Sequence, residues 1–183
     1  MKTITCFRTV LVALTLASAI LSSAQTPSAP ATNPLSAGQK MIYGYATGMV
    51  IGSAEKMPEA NYAFKPTPDV RSFGQILGHI ADAQYMFCSV VLGEKNPGLD
   101  IEKTKTAKAD LVKALKDAAA YCNKAYDGLT DATAVEPVKI MGGDQAKLTA
   151  LSFNNVHTIE HYGNLITYLR LKGLVPPSSE PRK

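Results

Sequence analysis

The chain has 183 residues, and hydrophobic residues make up 46% of them, which suits one globular domain with a substantial core. Lysine and arginine number 19 against 15 acidic residues, so the formal net charge is only +4. No basic run interleaves with aromatic residues, and the composition therefore argues against nucleic acid as a partner.

The first 24 residues have the pattern of a secretory signal peptide. Lys2 and Arg8 give a basic start, residues 10–21 are apolar but short for a bilayer span, and residues 22–24 (Ser-Ser-Ala) fit a cleavage site. An uncleaved N-terminal anchor is the alternative. Cleavage removes two basic residues and leaves 17 against 15, a net charge of +2. The sequence thus predicts an exported, periplasmic or secreted protein without a membrane segment after cleavage.

Residues 25–33 are predicted to be a flexible linker, because proline, serine and alanine dominate their first part. Asn33 and Pro34 suit the N-cap and first position of a helix that runs to about Lys56. This first helix is rich in glycine, which permits close approach of a neighbouring helix but weakens the helix itself by about 1 kcal/mol per glycine. A broken helix is the alternative. Tyr43 and Tyr45 could serve either the core or the face of a homodimer.

The second predicted helix begins after a connection, residues 57–71, that contains three prolines. Ser72 and Gln75 form an S-x-x-Q capping box, and Gly93 ends the helix after about Leu92. At about 100° per residue, the apolar residues share one face and His79 lies on its edge. This predicted face consists of Phe73, Ile76, Leu77, Ile80, Ala83, Phe87 and Val91.

The third predicted helix runs from about Ala107, with Thr106 as N-cap, to Asp127, and Gly128 ends it. Residues 94–106 before it are a polar connection, and residues 129–144 after it are a loop in which no strand-like alternation is clear.

The fourth predicted helix runs from about Gln145 to Lys172, with Gly173 beyond its end and two prolines barring continuation. Its predicted apolar face consists of Leu148, Leu151, Ile159, Tyr162, Ile166 and Leu169. Four helices in one domain, residues 34–175, predict an all-α four-helix bundle, followed by a polar tail at 176–183.

All three histidines of the chain lie in predicted helices. His157 and His161 are four residues apart, so their imidazoles stack on one helix face, and both fall at the edge of the apolar face, as His79 does on its helix. Three imidazoles with an open position would form a catalytic type of metal site. The alternative is that the histidines are unrelated side chains satisfied within their own helices.

Two cysteines, Cys88 and Cys122, remain after cleavage, and export would permit a disulfide between them. They stand at similar levels only if the second and third helices run parallel, since bridged cysteines need Cα atoms within about 7 Å. A bridge and an up-down-down-up bundle therefore support each other, and the bridge would add roughly 3 kcal/mol of stability. Two buried free thiols are the alternative.

Two segments, KPTPDVRSFGQILGHIADAQ and HTIEHYGNLITYLRLKGLVPPSSE, resemble the DinB-like superfamily of the damage-inducible and YfiT type. The resemblance extends over about residues 35–180. It implies a four-helix bundle of up-down-down-up topology and a divalent metal, often zinc or nickel, bound by three histidines. Carried over to this chain, these ligands are His79, His157 and His161.

The resemblance implies a metal-dependent enzyme of the hydrolase or transferase type, acting on a small molecule that the sequence does not identify. The predicted export does not fit the thiol-dependent transferases of the family, because their thiol cofactors are mainly cytosolic. Histidine ligation does not choose between zinc, nickel and manganese. Glu160 and Asn164 flank the histidines and could orient an imidazole. The alternative is a non-catalytic exported module that binds a metal or small ligand, since no hydrolase motif or phosphate loop is present.

Overall fold

The computed structural model describes residues 32–181, so the predicted signal peptide and most of the predicted linker lie outside the described residues. Four long helices and one short helix account for most of the described chain. The helices are α1 (Pro34–Lys56), α2 (Phe73–Leu92), α3 (Ile101–Thr104), α4 (Lys108–Gly128) and α5 (Lys147–Leu171), and the strands are β1 (Pro137–Ile140) and β2 (Gly143–Ala146). The fold is thus all-α apart from one small hairpin.

The predicted helix ends are confirmed most closely where local chemistry defines them. Ser72 accepts a hydrogen bond from the Gln75 backbone N–H, and the Gln75 side chain accepts one from the Ser72 N–H, as the capping box predicts. Gly93 and Gly173 both take positive φ, 71° and 72°, a conformation that favours glycine. Helix α1 begins after Asn33 and is continuous, so the alternative of a broken first helix is wrong.

The start of α4 and both ends of α5 differ from the prediction by one or two residues. Thr106 does not cap α4: Ala107 holds the N-cap position, no side chain caps the helix, and Gly128 is its last residue rather than the residue after it. Helix α5 begins at Lys147 and ends at Leu171. Such ends depend on tertiary contacts that the local sequence does not encode.

The sequence did not predict helix α3 or the hairpin of β1 and β2. Residues 94–106 include the one-turn helix α3, and residues 129–144 are not only a loop, because strands β1 and β2 pair antiparallel through a tight turn. Met141 and Gly142 occupy the turn with positive φ values of 53° and 83°, as two-residue hairpin turns require. Four-residue strands are too short for a clear alternation of polar and apolar residues, which is why the pattern went unseen.

Contacts between the long helices define their directions. Helix α2 runs parallel to α4, because Gly74 lies beside Leu111 near both starts and a disulfide joins Cys88 to Cys122 near both ends, with Cα atoms 5.2 Å apart. Helix α5 is antiparallel to α2: the Tyr168 hydroxyl donates to the Arg71 carbonyl at 2.6 Å.

The remaining pairs complete the topology. Helix α1 is antiparallel to α4, because Lys40 near the start of α1 pairs with Asp127 near the end of α4, while Lys108 at the start of α4 donates to the Glu55 carbonyl near the end of α1. It runs parallel to α5, since the Asn155 amide donates to Gln39 in the first half of both helices. The predicted up-down-down-up bundle is therefore confirmed.

Burial confirms the predicted apolar face of α2 and corrects that of α5. All seven predicted face residues of α2 are buried, whereas on α5 Ile159 is exposed and Leu148 and Ile166 are only partly buried. The buried side of α5 instead includes polar residues: Asn154, Asn155, Thr158 and His161. Polar side chains with hydrogen-bond partners can occupy a helix interface, so the apolar pattern alone misplaced this face.

Three of the four glycines of α1 do not serve close packing among residues 32–181. A Cβ placed at Gly38, Gly44 or Gly48 would meet none of these residues within 4 Å, whereas one at Gly52 would lie 3.3 Å from Pro177. Tyr43 is buried and stacks on Tyr126 with ring centroids 4.1 Å apart, while Tyr45 is exposed. Tyr43 thus serves the core, and the homodimer stays a prediction. None of the helices within residues 32–181 combines the length and hydrophobicity that a membrane span needs.

Candidate metal centre

Helices α2 and α5 bring the three histidines together. His79 lies in the second turn of α2, on the edge of a buried face, and His157 and His161 lie one turn apart on α5. Because α2 and α5 are antiparallel, the first half of α2 faces the second half of α5. His161 is buried, and His79 and His157 are half-buried. The bundle thus brings imidazoles from distant parts of the sequence together at one edge of the interface between α2 and α5.

The imidazoles converge through their Nε2 atoms. The His79 Nε2 lies 3.0 Å from the His157 Nε2, and the His161 Nε2 lies 3.1 Å from the same atom. One possible ligand nitrogen from each histidine lies within 4.8 Å of the others. A neutral imidazole has one donor and one acceptor nitrogen, so three converging Nε2 atoms cannot all be paired with one another. The cluster provides nitrogen lone pairs for a shared cation.

Burial and mutual repulsion keep two of these imidazoles uncharged at neutral pH. Burial, followed by the positive charges that His161, His79 and Arg71 would carry, lowers the pKa of His157 to about 4. Burial also lowers the pKa of His161, with His79 as the next cause. A neutral imidazole is the form that binds a metal, so the site favours ligation over protonation at pH 7.

Glu102, on the short helix α3, contacts the site from outside the two histidine-bearing helices. Its Oε2 lies 3.1 Å from the His79 Nδ1, and its Oε1 accepts a hydrogen bond of 2.8 Å from the Arg71 Nε. Burial alone would raise the pKa of this carboxyl, but Arg71 and His79 outweigh burial and lower it. The ionised carboxylate therefore links Arg71 to the first histidine.

The other two histidines have different outer contacts. The Asn164 side-chain amide lies 3.2 Å from the His161 Nδ1, so the predicted role of Asn164 beside the histidines agrees with its position. The His157 Nδ1 is buried and has no hydrogen-bond partner among the described residues. Glu160 makes no hydrogen bond to an imidazole among the described residues, although its charge opposes the lowering of the His161 pKa, and it lines a separate apolar groove with Ile42 and Val156.

A cleft of about 590 Å³ opens beside His161. Its wall is mixed in charge and includes Lys65, Arg71, Gln75, Glu102, Asn164 and Tyr168. Half of the residues that line the cleft come from the proline-containing connection before α2, which the sequence predicts only as extended chain. Of the three histidines, His161 is the one that lines this cleft, so the cleft borders one side of the histidine cluster.

Sequence reasoning found the three histidines and Asn164 but missed Glu102 and Arg71. Glu102 lies in a stretch whose polarity predicts a simple connection, and the available signal was Ile101, an isolated apolar residue next to it. Ile101 is buried, and its burial fixes the position of Glu102. An apolar residue inside a polar connection can thus mark a segment that folds back onto the core.

The donor set fits a divalent transition metal. Three imidazole nitrogens converge, two of the imidazoles are held neutral, and one has a carboxylate behind it, which is the usual outer contact of a metal-binding histidine. The fold and site together define a helical-bundle protein with a three-histidine cluster that could bind a metal beside an open cleft.

A family model described as the DinB superfamily matches residues 45–165, about two thirds of the chain, and the chain belongs to this superfamily, whose members often bind metals. The predicted family is therefore confirmed. Among curated proteins, none is significantly similar to this chain.

Two solved structures are similar in fold. The crystal structure of a DinB-like protein from Bacillus cereus ATCC 10987 superposes with a TM-score of 0.68 at 16% identity, covering 77% of this chain and 95% of that chain. That of a DinB-like protein (YjoA) from Bacillus subtilis gives a TM-score of 0.61 at 22% identity, covering 82% and 100%. At these identities the similarity establishes the fold.

Proposed function

We propose that His79, His157 and His161 bind one divalent metal ion and that the protein is a metal-dependent enzyme of the hydrolase or transferase type. The observation that carries this proposal is the convergence of three Nε2 atoms, two of them 3.0 and 3.1 Å from the third, beside an open cleft. A structural metal site is usually closed by four protein ligands, whereas three histidines leave positions for other ligands.

A bound metal would supply Lewis acidity, either activating a water near neutral pH or polarising a substrate oxygen or sulfur. The remaining work falls to the chain's own residues. Lys65, Arg71 and Gln75 in the cleft wall offer hydrogen-bond donors to a small-molecule substrate, and Tyr168 closes one side with its hydroxyl fixed on the Arg71 carbonyl. Histidine ligation alone does not choose between zinc, nickel and manganese.

Metal analysis tests the binding step directly. Protein purified without chelator and without a histidine tag should contain, or take up, about one ion per chain. A His157→Ala variant should lose this ion, since it removes the nitrogen that lies between the other two. A content below about 0.2 ion per chain, with no uptake of zinc, nickel or manganese, would contradict the proposal.

A second function, a non-catalytic exported module that binds a metal or small ligand, is favoured by one observation. The carboxylate nearest the histidines, Glu102, is already bound by Arg71 and His79, which limits it as a general base. A panel of ester, amide, lactam and thiol-transfer substrates with metal-loaded protein separates the two. Turnover that His157→Ala abolishes supports the enzyme, and tight metal binding without any turnover supports the module.

We further propose that the protein is exported to the periplasm or secreted. The Cys88–Cys122 disulfide is compatible with an oxidising compartment, and disulfides are rare in the cytosol. Intact-mass analysis of protein from the periplasmic or culture fraction should give a chain that begins at Gln25. A full-length chain confined to the cytosol would contradict export without affecting the metal proposal.

A further inference from the structure

We propose that Glu102 is the positioning residue of the histidine cluster and that helix α3 exists to deliver its carboxylate to His79. This inference rests on the proposed metal function and extends it to a segment that carries no metal ligand. Of the three histidines, only His79 has a charged acceptor on its outer nitrogen: Glu102 Oε2 lies 3.1 Å from its Nδ1, whereas His161 meets an amide and His157 meets no partner among the described residues.

The carboxylate decides which nitrogen of His79 carries the proton. An ionised carboxylate only accepts hydrogen bonds, so the Nδ1 of His79 must be the donor. In the neutral ring the Nε2 then has a free lone pair, and this is the atom that lies 3.0 Å from the His157 Nε2. Glu102 thereby holds His79 in the tautomer, and in the orientation, that a metal ligand needs.

Helix α3 is held against α2 by two residues that flank His79. The Asp82 carboxylate accepts hydrogen bonds of 2.9 Å from both the Ile101 and the Glu102 backbone N–H groups, so it caps the short helix. Four residues earlier, Gly78 lies under the Glu102 backbone, and a Cβ there would come within 2.6 Å of the Glu102 Cα. Only glycine permits this approach.

Two further interactions fix the position of Glu102. Its neighbour Ile101 is only 3% exposed and anchors α3 in the core. The Arg71 Nε donates to the Glu102 Oε1 at 2.8 Å, so the two carboxylate oxygens have separate partners on either side. The sequence G-H-x-x-D at residues 78–82 thus contains His79 together with Gly78 and Asp82, the two residues that hold α3 in place. Helix α3 in turn carries Glu102, which orients His79.

The tautomer can be measured in the metal-free protein by long-range ¹H–¹⁵N correlation of the histidine side chains. His79 should be the Nδ1–H tautomer in the wild type, and Glu102→Ala should shift it towards the Nε2–H form. A wild-type His79 that carries its proton on Nε2, or a tautomer that Glu102→Ala leaves unchanged, would overturn the proposal whether or not the protein binds metal.

Zinc affinity, measured by competition with a chelating dye, tests the consequence. Glu102→Ala should lower the affinity about 10–100-fold, as loss of an outer carboxylate contact does in other metal sites, and Glu102→Gln, which keeps an acceptor oxygen, should lower it less. Gly78→Ala should act in the same direction by displacing α3. The matched control is Gly48→Ala, the same change on a helix surface with nothing within 4 Å, which should leave the affinity unchanged.

The outcomes separate the two proposals. A wild-type protein that takes up no zinc contradicts the metal function, while the tautomer measurement still decides the role of Glu102. A wild-type protein that binds zinc and a Glu102→Ala variant that binds it within twofold of the same affinity overturn the positioning role alone. Circular dichroism of each variant confirms that the bundle is intact, since Glu102 lies at the surface of the fold.

Discussion

The bundle has two polar regions between its helices, and they differ in how their polar atoms are arranged. In the first, the buried Cys88–Cys122 disulfide lies against Asn154, whose amide donates to the Tyr126 hydroxyl at 3.0 Å. In the second, which lies nearer the start of α2 and further along α5, His79, His157 and His161 direct their Nε2 atoms at one another. In the first region the Asn154 Nδ2 and the Tyr126 hydroxyl form a donor–acceptor pair, although the Asn154 Oδ1 has no partner among the described residues. In the second region like atoms face one another.

This difference distinguishes polar groups that stabilise the fold from polar groups that are expected to bind a ligand. A buried donor paired with an acceptor costs little and fixes the packing, as the Tyr126 hydroxyl does by also bonding the Leu151 carbonyl at 3.0 Å. Nitrogen lone pairs that point at one another do not stabilise the fold. Such an arrangement is typical of a binding site, where a third group lies between the nitrogen atoms. The disulfide region is therefore expected to control stability, and the histidine region to control binding.

Removing the disulfide should have the largest effect on stability. The double variant Cys88→Ala/Cys122→Ala should unfold with a free energy lower by about 3 kcal/mol, because the bridge closes a loop across 34 positions of the chain. Urea unfolding of the metal-free protein measures this. Zinc affinity of the folded variant should stay within about threefold, and a large loss of affinity would show that the two regions are coupled.

Tyr126→Phe should be the next largest change. It removes the hydroxyl that contacts Leu151, Asn154 and Asn155, and it leaves their buried polar groups short of a partner. We expect a loss of about 2 kcal/mol in urea unfolding. Tyr45→Phe is the matched control, because that side chain is exposed, and it should change the stability by less than about 0.5 kcal/mol.

The histidine region should make the metal-free protein sensitive to acid. The pKa of His157 falls from 6.5 to about 4 on folding because of burial and the neighbouring histidines, so between these pH values the unfolded chain binds more protons than the folded one. Stability should therefore decrease as the pH falls from about 6.5 towards 4. Because His157 is only half-buried and solvent screens its charge, we expect a decrease on the order of 1–2 kcal/mol, about half of what the full pKa shift would give. His157→Gln should flatten this part of the curve, and an unchanged pH dependence would contradict the assignment.

Asn164→Ala should have the smallest effect and should act on affinity alone. Asn164 is exposed and makes one contact of 3.2 Å with the His161 Nδ1, so its loss should reduce zinc affinity by about 10-fold or less. Its unfolding free energy in the metal-free state should match that of the wild type. An effect larger than that of Glu102→Ala would shift the main orienting role from His79 to His161.

The sequence predicts most of the fold because the helix signals are local. The Ser72–Gln75 capping box, the terminal glycines and the apolar period of α2 each act within a few residues, and the structure confirms them. The period of α5 was less informative because Asn154, Asn155 and Thr158 are buried with hydrogen-bond partners that lie partly on other helices. No pattern along α5 alone can reveal such partners.

The sequence by itself predicted the four long helices, the three histidines as one group, and a Cys88–Cys122 bridge, with two buried free thiols as the alternative to the bridge. These follow from periodicity, capping and spacing, which are properties of adjacent residues. Only the tertiary structure decided that Glu102 faces His79 and that Gly78 is needed beneath it, because a contact between residues 79 and 102 depends on how the connection between α2 and α4 folds back. The burial of Ile101 and the Asp82 cap determine how this connection folds. Both are interactions between segments, and neither produces a periodic pattern in the sequence.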